Sequence, residues 1–290
     1  MRTRRIGDTD VSAIGLGGMP MSIEGRPDEA RSIATIHAAL DAGITLIDTA
    51  DAYHLRADDV GHNELLIAKA LAAYGGDTSA VLVATKGGHL RPGDGRWTRD
   101  GSPEHLRKAC DASLARLGVD AIGLYQFHRP DPTVPYEQSV DVLAELLAAG
   151  KIRMAGISNA NPDQIRLADK VLGGRLVSVQ NQFSPGFRSS EPELTLCHEM
   201  GIAFLPWAPF GGSSRAGRLG SAFAAFADVA AAHDVSPQQV CLAWMLAKAP
   251  EVIPIPGASR PETIQDSAAA ADLVLTNDEL VALDATAKEI

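Results

Sequence analysis

Four residues whose types cooperate in proton transfer to a carbonyl oxygen are spread along the chain: Asp48, Tyr53, Lys86 and His128. Hydride addition to a carbonyl carbon leaves negative charge on oxygen; an acid must protonate that oxygen, and a nearby donor stabilises it. A phenol with a pKa of about 10 is a poor acid at neutral pH. An ammonium beside it favours the phenolate and pulls the pKa down. The residue types therefore cast Tyr53 as general acid, Lys86 as its electrostatic tuner, Asp48 as the ion-pair partner of Lys86, and His128 as the donor that orients the substrate. Each residue also has a plainer reading. An Asp after a strand caps a helix or turn, a loop Tyr packs, and a Lys or His at a strand end is often structural. Lys86 alone also admits a Schiff-base lyase or aldolase with Tyr53 as proton shuttle.

Position is what argues against four separate accidents. Short, continuously apolar runs, as expected of buried parallel strands, fall at Val11–Leu16, Ile44–Ile47, Val81–Ala84, Ile122–Phe127, Ile152–Ile157, Leu176–Val179, Ile202–Leu205 and Val252–Ile255. Polar residues follow them in register: Asp48, Thr85 and Lys86, His128, Ser158 and Asn159, Gln180, Trp207, then Ser259 and Arg260. Between the runs lie helical patterns at Glu29–Ala42, Glu64–Tyr74, Glu104–Leu117, Tyr136–Ala149, Asp163–Leu172 and Glu191–Met200, with Gly43, Gly118, Gly150 and Gly201 at helix ends. Ser236-Pro237 with Gln239, Asn161-Pro162 with Gln164, and Thr276 with Glu279 predict capped helix starts. Eight strands over 290 residues give about 36 residues per unit, which predicts a (β/α)8 TIM barrel made by residues 1–290 as one domain. In a barrel the C-terminal strand ends converge on one face, so those polar residues share a pocket. A doubly wound open sheet is the alternative, but Gly15, Gly17 and Gly18 do not complete its glycine fingerprint. Met1–Arg5 facing Ser12–Ile14 across Gly7-Asp8 predicts a hairpin closing the barrel bottom.

Composition narrows the partners. Lys and Arg total 26 against 36 Asp and Glu, and a net charge of −10 repels nucleic acid and anionic lipid at long range. No run approaches the 18 apolar residues of a membrane span, and the basic start leads into no signal-length apolar segment, so a cytoplasmic protein is expected. Cys110, Cys197 and Cys241 lack zinc-ligand spacing and read as buried thiols in a reducing compartment, with no metal site expected.

The motifs resemble the aldo-keto reductase family over essentially the whole chain. Ile14-Gly15-Leu16-Gly17-Gly18-Met19 is similar to the family's first strand and the loop under the nicotinamide. Gly43-Ile44-Thr45-Leu46-Ile47-Asp48-Thr49-Ala50-Asp51-Ala52-Tyr53 resembles the signature holding its Asp and catalytic Tyr, and Gly61-His62-Asn63-Glu64 follows as Gly-x-x-Glu. Ala84-Thr85-Lys86 and Gln126-Phe127-His128 match the segments of the catalytic Lys and His. Gly156-Ile157-Ser158-Asn159 and Val179-Gln180 match the residues that hold the nicotinamide carboxamide. The resemblance implies the barrel fold, reduction of an aldehyde or ketone, and NADPH, or NADH, bound across the top without a Rossmann domain. A non-catalytic nucleotide-binding regulatory subunit also occurs in the family and is the other reading.

By the same resemblance Gly18, Met19, Asp48, Ser158, Asn159 and Gln180 join the cofactor site. Trp207, Ala208, Pro209, Phe210 and Gly211 would wrap the pyrophosphate, with the Trp207 ring on the nicotinamide. Gly257, Ser259, Arg260 and Asp266 would surround the adenosine phosphate. The chain departs from the family pattern in Trp207 for Tyr, Ala208 for Ser, Thr263 where Arg is frequent, and Asp266-Ser267 for Glu-Asn. The indole keeps a stacking face, one hydroxyl is lost, and Arg260 remains to fork a 2′-phosphate. Met19, Tyr53, Trp97, His128 and Arg129 are the expected lining of the substrate pocket, Met19 and Trp97 being equally compatible with packing. The loop from Gly88 to Gly101 either covers that pocket or lies over its rim. The last helix, Asn277 to Lys288, leaves almost none of the tail that closes the site in many members, so an open pocket, or one completed by another chain, is expected. The substrate itself, and monomer against weak homo-oligomer, stay open.

Overall fold

A computed structural model describes residues 1–286. Its main sheet is parallel and seven-stranded, in the order β11-β10-β9-β8-β5-β4-β3. The strands are β3 (Leu16–Gly17), β4 (Leu46–Asp48), β5 (Leu82–Gly87), β8 (Ile122–Phe127), β9 (Ile152–Ser158), β10 (Leu176–Gln180) and β11 (Ala203–Phe204). The two edges do not stay open. Val252 bridges to Phe204 of β11, and Gly257 bridges to Gly17 of β3, both in parallel sense. Residues 252–257 thus act as the eighth strand and close the barrel. They do not form a regular strand because Pro254 and Pro256 have no N–H to give the ladder. Their carbonyls still accept from Gly15 N and Gly17 N, both at 2.9 Å, while Ile253 N donates to Phe204 O at 2.8 Å on the other side.

The expected first strand, Val11–Leu16, is divided between two elements. Val11 belongs to β2 (Thr9–Ser12), which pairs antiparallel with β1 (Thr3–Ile6), Thr3 opposite Ser12. Only Leu16–Gly17 enters the barrel, because Ser12 turns the chain there: its N–H donates to Thr45 Oγ1 at 2.8 Å, and its hydroxyl donates to Ile14 O at 2.7 Å. The expected hairpin forms and is a plug, but its second strand is Thr9–Ser12 and not Ser12–Ile14. Ile6 and Val11, fully buried, join Leu46, Leu82, Leu124, Met154 and Ile253 in the cluster filling the lower barrel.

Strand periodicity explains both the core and the site. Alternate residues face opposite sides of a sheet. Leu46, Leu82, Ala84, Leu124, Met154, Ala203, Leu205, Ile253 and Ile255 pack inside the barrel, whereas Ile47 and Val83 pack against the helical layer with Ile36, Ile67 and Ile264. Continuing the inward set by two residues reaches Asp48, Lys86, Gln126 then His128, Gly156 then Ser158, Trp207 and Gly257. On β4, β5, β8 and β9 the inward face carries apolar residues at the bottom and polar residues at the top.

The outer layer consists of helices Glu29–Asp41, His62–Ala73, Pro103–Leu117, Tyr136–Ala148, Pro162–Val171, Glu191–Met200, Pro237–Leu246 and Pro261–Ala269. Their starts follow the expected chemistry. Asn161 with Gln164, and Thr276 with Glu279, form complete capping boxes. Ser236 Oγ accepts from Gln239 N, but the Gln239 side chain does not return to the cap; its amide donates to Asp266 Oδ1 at 2.6 Å, a carboxylate that outcompetes the backbone. Gly118 and Gly201 sit at helix ends with φ of 67°, where a side chain would be strained. The segment 208–217 includes the short helix Ser213–Ala216. The last helix runs Asn277–Ala285, and the expected end at Lys288 lies outside the described residues. Cys110, Cys197 and Cys241 are buried free thiols, and no helix among the described residues is long and apolar enough to cross a membrane.

Candidate active site

At the top of the barrel Asp48 and Lys86 are drawn together from adjacent strands, where Asp48 pairs with Ala84 and Lys86 lies two residues on. Both lie within β4 and β5, not after them, as do Ser158 in β9 and Gln180 in β10; His128 follows β8 directly, and Trp207 lies three residues past the end of β11. Lys86 is fully buried, and its Nζ donates to Asp48 Oδ2 at 2.7 Å, Thr49 O at 2.7 Å and the Tyr53 hydroxyl at 3.2 Å. Three acceptors satisfy all three N–H donors of an ammonium. Burial pushes its pKa down, but the Asp48 carboxylate and the Tyr53 oxygen outweigh burial and leave it above the ordinary lysine value. Lys86 is therefore a held cation and not a free amine, which removes the premise of a Schiff-base reaction.

Tyr53 arrives from the loop after β4, turned inward with its N–H donating to Ala50 O at 3.3 Å. Its ring meets the His128 imidazole edge-on, centroids 5.8 Å apart. The expectation that Lys86 lowers the phenol pKa holds for that interaction but not for the sum. Burial raises the pKa more than the Lys86 charge lowers it, and Asp48 adds to the rise, so Tyr53 lies above its usual value. His128 is buried, with Nδ1 unpartnered. Burial, then the Lys86 charge, with smaller contributions from His89 and Arg129, drives its pKa well down, so the imidazole is neutral at physiological pH.

Several supporting residues carry no motif of their own. Gln180 Nε2 donates to Asp48 Oδ1 at 2.8 Å, so it orients the carboxylate that holds Lys86; its side-chain Oε1 makes no hydrogen bond among the described residues. Behind β5, Glu64 accepts from Thr85 Oγ1 at 2.5 Å and from Arg116 Nε at 2.6 Å. Asp51 is buried beside that pair, and burial together with the Glu64 charge pushes its carboxyl up to about 8. A polar residue flanking a signature tyrosine was the available signal for Asp51, but only the fold shows what surrounds it.

A cavity of about 680 Å³ opens above these groups. Asp48, Tyr53, His128, Ser158, Asn159, Gln180, Met19, Trp207, Ala208, Pro209, Phe210 and Gly257 all line it. Gly18 lies beside it, and a Cβ there would overlap Asn63 Oδ1; Asn63 Nδ2 donates to Gly18 O at 2.9 Å. Gly211 is in the same loop with φ of 80°. Ser259, Arg260 and Asp266 are outside the lining. Arg260 is exposed at the start of helix Pro261–Ala269 and makes no side-chain hydrogen bond among the described residues. Asp266 is already engaged, accepting from Ser236 Oγ at 2.7 Å as well as from Gln239. All five expected lining residues, Met19, Tyr53, Trp97, His128 and Arg129, face the cavity. The Gly88–Gly101 loop contributes a wall: β6 (His89–Leu90) and β7 (Thr98–Arg99) pair antiparallel, and His89, Trp97 and Arg99 line the space. His89 stacks on Trp97 at 4.8 Å and meets His128 edge-on at 4.9 Å.

The cavity suits a nicotinamide nucleotide. Ser158 donates to Gln180 O at 2.7 Å, and Asn159, at a positive φ of 56°, donates to His128 O at 3.0 Å and to Ser158 Oγ at 2.9 Å. This fixed amide cluster, the Gln180 side-chain Oε1 and the Trp207 indole, whose Nε1 is buried without a partner, are apt for a flat ring bearing a carboxamide.

Comparison with known proteins agrees. The family model described as Aldo/keto reductase family matches residues 13–288. An uncharacterized oxidoreductase of Schizosaccharomyces pombe is 34% identical, over 99% of this chain and 90% of its own. A 6-dehydroglucose reductase of Novosphingobium aromaticivorans is 36% identical, over 90% and 86%. Among solved structures, a glycerol dehydrogenase of Gluconobacter oxydans superposes with TM-score 0.83 at 29% identity, covering 98% of this chain and 94% of its own. An aldo/keto reductase of Klebsiella pneumoniae in complex with NADP and acetate superposes with TM-score 0.80 at 28% identity, covering 99% of each. The chain belongs to the aldo/keto reductase family and is an NAD(P)H-dependent oxidoreductase.

Proposed function

We propose that this protein reduces an aldehyde or ketone to the alcohol with NADPH, Tyr53 being the general acid. The observation that carries the reading is the Lys86 ammonium placed 3.2 Å from the Tyr53 hydroxyl and 2.7 Å from Asp48 at the cavity floor. NADPH, when bound, supplies the hydride that the carbonyl carbon accepts. The Tyr53 hydroxyl gives its proton to the carbonyl oxygen, the C=O π pair becomes the O–H bond, and a phenolate is left beside Lys86. The ammonium stabilises that phenolate as it forms, and solvent returns the proton. Neutral His128 orients the carbonyl oxygen by donating a hydrogen bond from a ring N–H, with no cost of discharging an imidazolium.

For the cofactor, Ser158, Asn159 and Gln180 would hold the carboxamide, Trp207 would stack on the nicotinamide, and the Ala208–Gly211 backbone would receive the pyrophosphate. Half-buried Ser259 and exposed Arg260 would meet the 2′-phosphate, and their position at a helix N-terminus favours an anion. Asp266, bound to Ser236 and Gln239, acts here by holding neighbouring helices.

Tyr53→Phe tests the assignment. The substitution removes the proton donor and almost no volume, so reduction of an aldehyde followed by NADPH absorbance falls by ~10²–10⁴-fold, the range for loss of a general acid. NADPH binding, read by quenching of tryptophan fluorescence, stays close to wild type. Wild-type turnover in this variant means that another group is the acid.

A further inference from the structure

The cavity wall beyond Tyr53 and His128 carries a feature that reduction of a carbonyl does not require. Arg99 from β7 and Arg129, directly after His128, both line it. Neither lies within 4.0 Å of a carboxylate oxygen among the described residues. Arg129 Nη2 donates to Asn159 Oδ1 at 3.0 Å, while its Nε is buried and unpartnered. Arg99 has a single long contact, Nη1 to Pro130 O at 3.4 Å. Burial and the Arg99 charge lower the pKa of Arg129, and burial followed by the charges of Arg129 and Arg99 pushes His89 down to about 4.

The acids nearby are committed elsewhere. Asp48 holds Lys86 and Gln180. Glu24, also in the lining, pairs with Arg91. Asp131 senses Arg99, but its oxygens accept from Gly101 N at 3.0 Å and from Thr133 N and Oγ1 at 2.9 and 2.7 Å. In a protein of net charge −10, two unpaired cations brought to one cavity wall are held at a cost in mutual repulsion. A bound anion relieves that cost. Met19, Pro20, Ile23 and Trp97 add apolar surface to the same cavity.

Resting on the reductase reading above, we propose that Arg99 and Arg129 form a receptor for an anionic group, a carboxylate or a phosphate, on the carbonyl substrate. The substrate class is then an aldehyde or ketone with an apolar body and a distal anion. The cations hold the anion while His128 and Tyr53 take the carbonyl oxygen, so the receptor sets which substrates are oriented for reduction. Planar forked donors suit both anions.

The test compares substrates that differ only in charge. One pair is para-formylbenzoate and its methyl ester; the other is glyceraldehyde phosphate and glyceraldehyde. The wild-type enzyme prefers the anionic member of at least one pair in kcat/KM by ~tenfold or more, a factor of the size charge complementarity provides, and rising salt reduces the preference. The pair in which the preference appears decides between carboxylate and phosphate. In Arg99→Gln and in Arg129→Gln the anionic-to-neutral ratio falls toward one. A second readout is independent of turnover: benzoate quenches the cavity tryptophan fluorescence of the wild-type protein, benzamide does not, and benzoate quenching is lost in Arg99→Gln. Equal kcat/KM for both members of both pairs, or a ratio unchanged in both variants while KM for NADPH rises, overturns the receptor and leaves the reductase reading standing. Benzoate binding that depends on Arg99, with no aldehyde reduced, keeps the receptor and overturns the reductase reading.

Discussion

Replacing Asp48 by Asn changes the buried charge at the site by one unit while nearly preserving shape. The Lys86 Nζ has Asp48 Oδ2 at 2.7 Å as its only carboxylate partner among the described residues and lies in a fully buried position. Breaking a buried ion pair from one side costs ~3–5 kcal/mol, because the remaining charge is uncompensated. For a chain of this size ~1 kcal/mol moves the melting temperature by roughly 2–4 °C, so Asp48→Asn melts roughly 6–20 °C below wild type at pH 7. The pH dependence gives a sharper check, because its sign reverses. In the wild type the folded-state pKa of Lys86 is raised; the folded protein binds the extra proton, and that contribution is complete below the unfolded value and lost as pH climbs through the folded one. In the variant, burial acts without Asp48 and depresses the Lys86 pKa. The unfolded chain then binds more protons, so stability rises with pH between the depressed value and about 10.5. Circular-dichroism melts from pH 7 to 10 measure both effects. A variant that melts within about 2 °C of wild type at pH 7, or whose deficit does not shrink with rising pH, would falsify the account of Lys86 as a cation held by Asp48.

The remaining expectations concern the nucleotide and the imidazoles. Arg260→Ala raises KM for NADPH by ~10–100-fold, the value of one or two charge-assisted bonds of ~1.5–3 kcal/mol, and leaves KM for NADH nearly unchanged; an unaltered ratio of the two KM values removes Arg260 from the 2′-phosphate. Because burial and cationic neighbours hold His128 neutral, the kcat/KM profile shows no ionisation near 6.5, whereas the unfolded imidazole protonates there and stability declines as pH falls below about 6.5. An acid limb at that pH that disappears in His128→Gln contradicts a neutral donor.

Much of the barrel was legible because parallel strands are buried on both faces, so they read as short apolar runs with helices between. The misplacements have local causes. Val11 belongs to the plug although it continues the apolar run into Leu16, since nothing in the run marks where Ser12 turns the chain. The eighth strand is apolar in sequence but irregular in structure, because prolines 254 and 256 remove alternate donors and only carbonyls serve β3. The functional ends were displaced by one or two residues for a single reason. Polar side chains at the barrel top continue the strand geometry, so a boundary drawn at the last apolar residue stops short of Asp48, Lys86, Ser158 and Gln180.

The site was legible where one residue faces another through a strand register, and illegible where partners meet across the barrel. The amide of Gln180 reads as a cofactor contact, yet 132 positions earlier in the chain it finds Asp48. The cationic wall was equally hidden: Arg99 and Arg129 belong to different loops, and only the β6–β7 hairpin brings them to one surface. The phenol pKa shows why residue types alone were insufficient. An ammonium beside Tyr53 predicts a lowered pKa, but the same burial that makes the Lys86 charge effective also penalises phenolate, and burial wins. For the proposed reaction that outcome is useful. A phenol that keeps its proton in the resting site is present as the acid at every working pH, and it faces no competing ionisation before the substrate arrives. Its proton moves only when a stronger base, the alkoxide formed by hydride addition, is beside it, and at that moment Lys86 stabilises the phenolate left behind. Lys86 thus acts on the transition state and not on the resting acid, so removing its charge as Lys86→Met would lower kcat far more than it alters the resting ionisation of Tyr53.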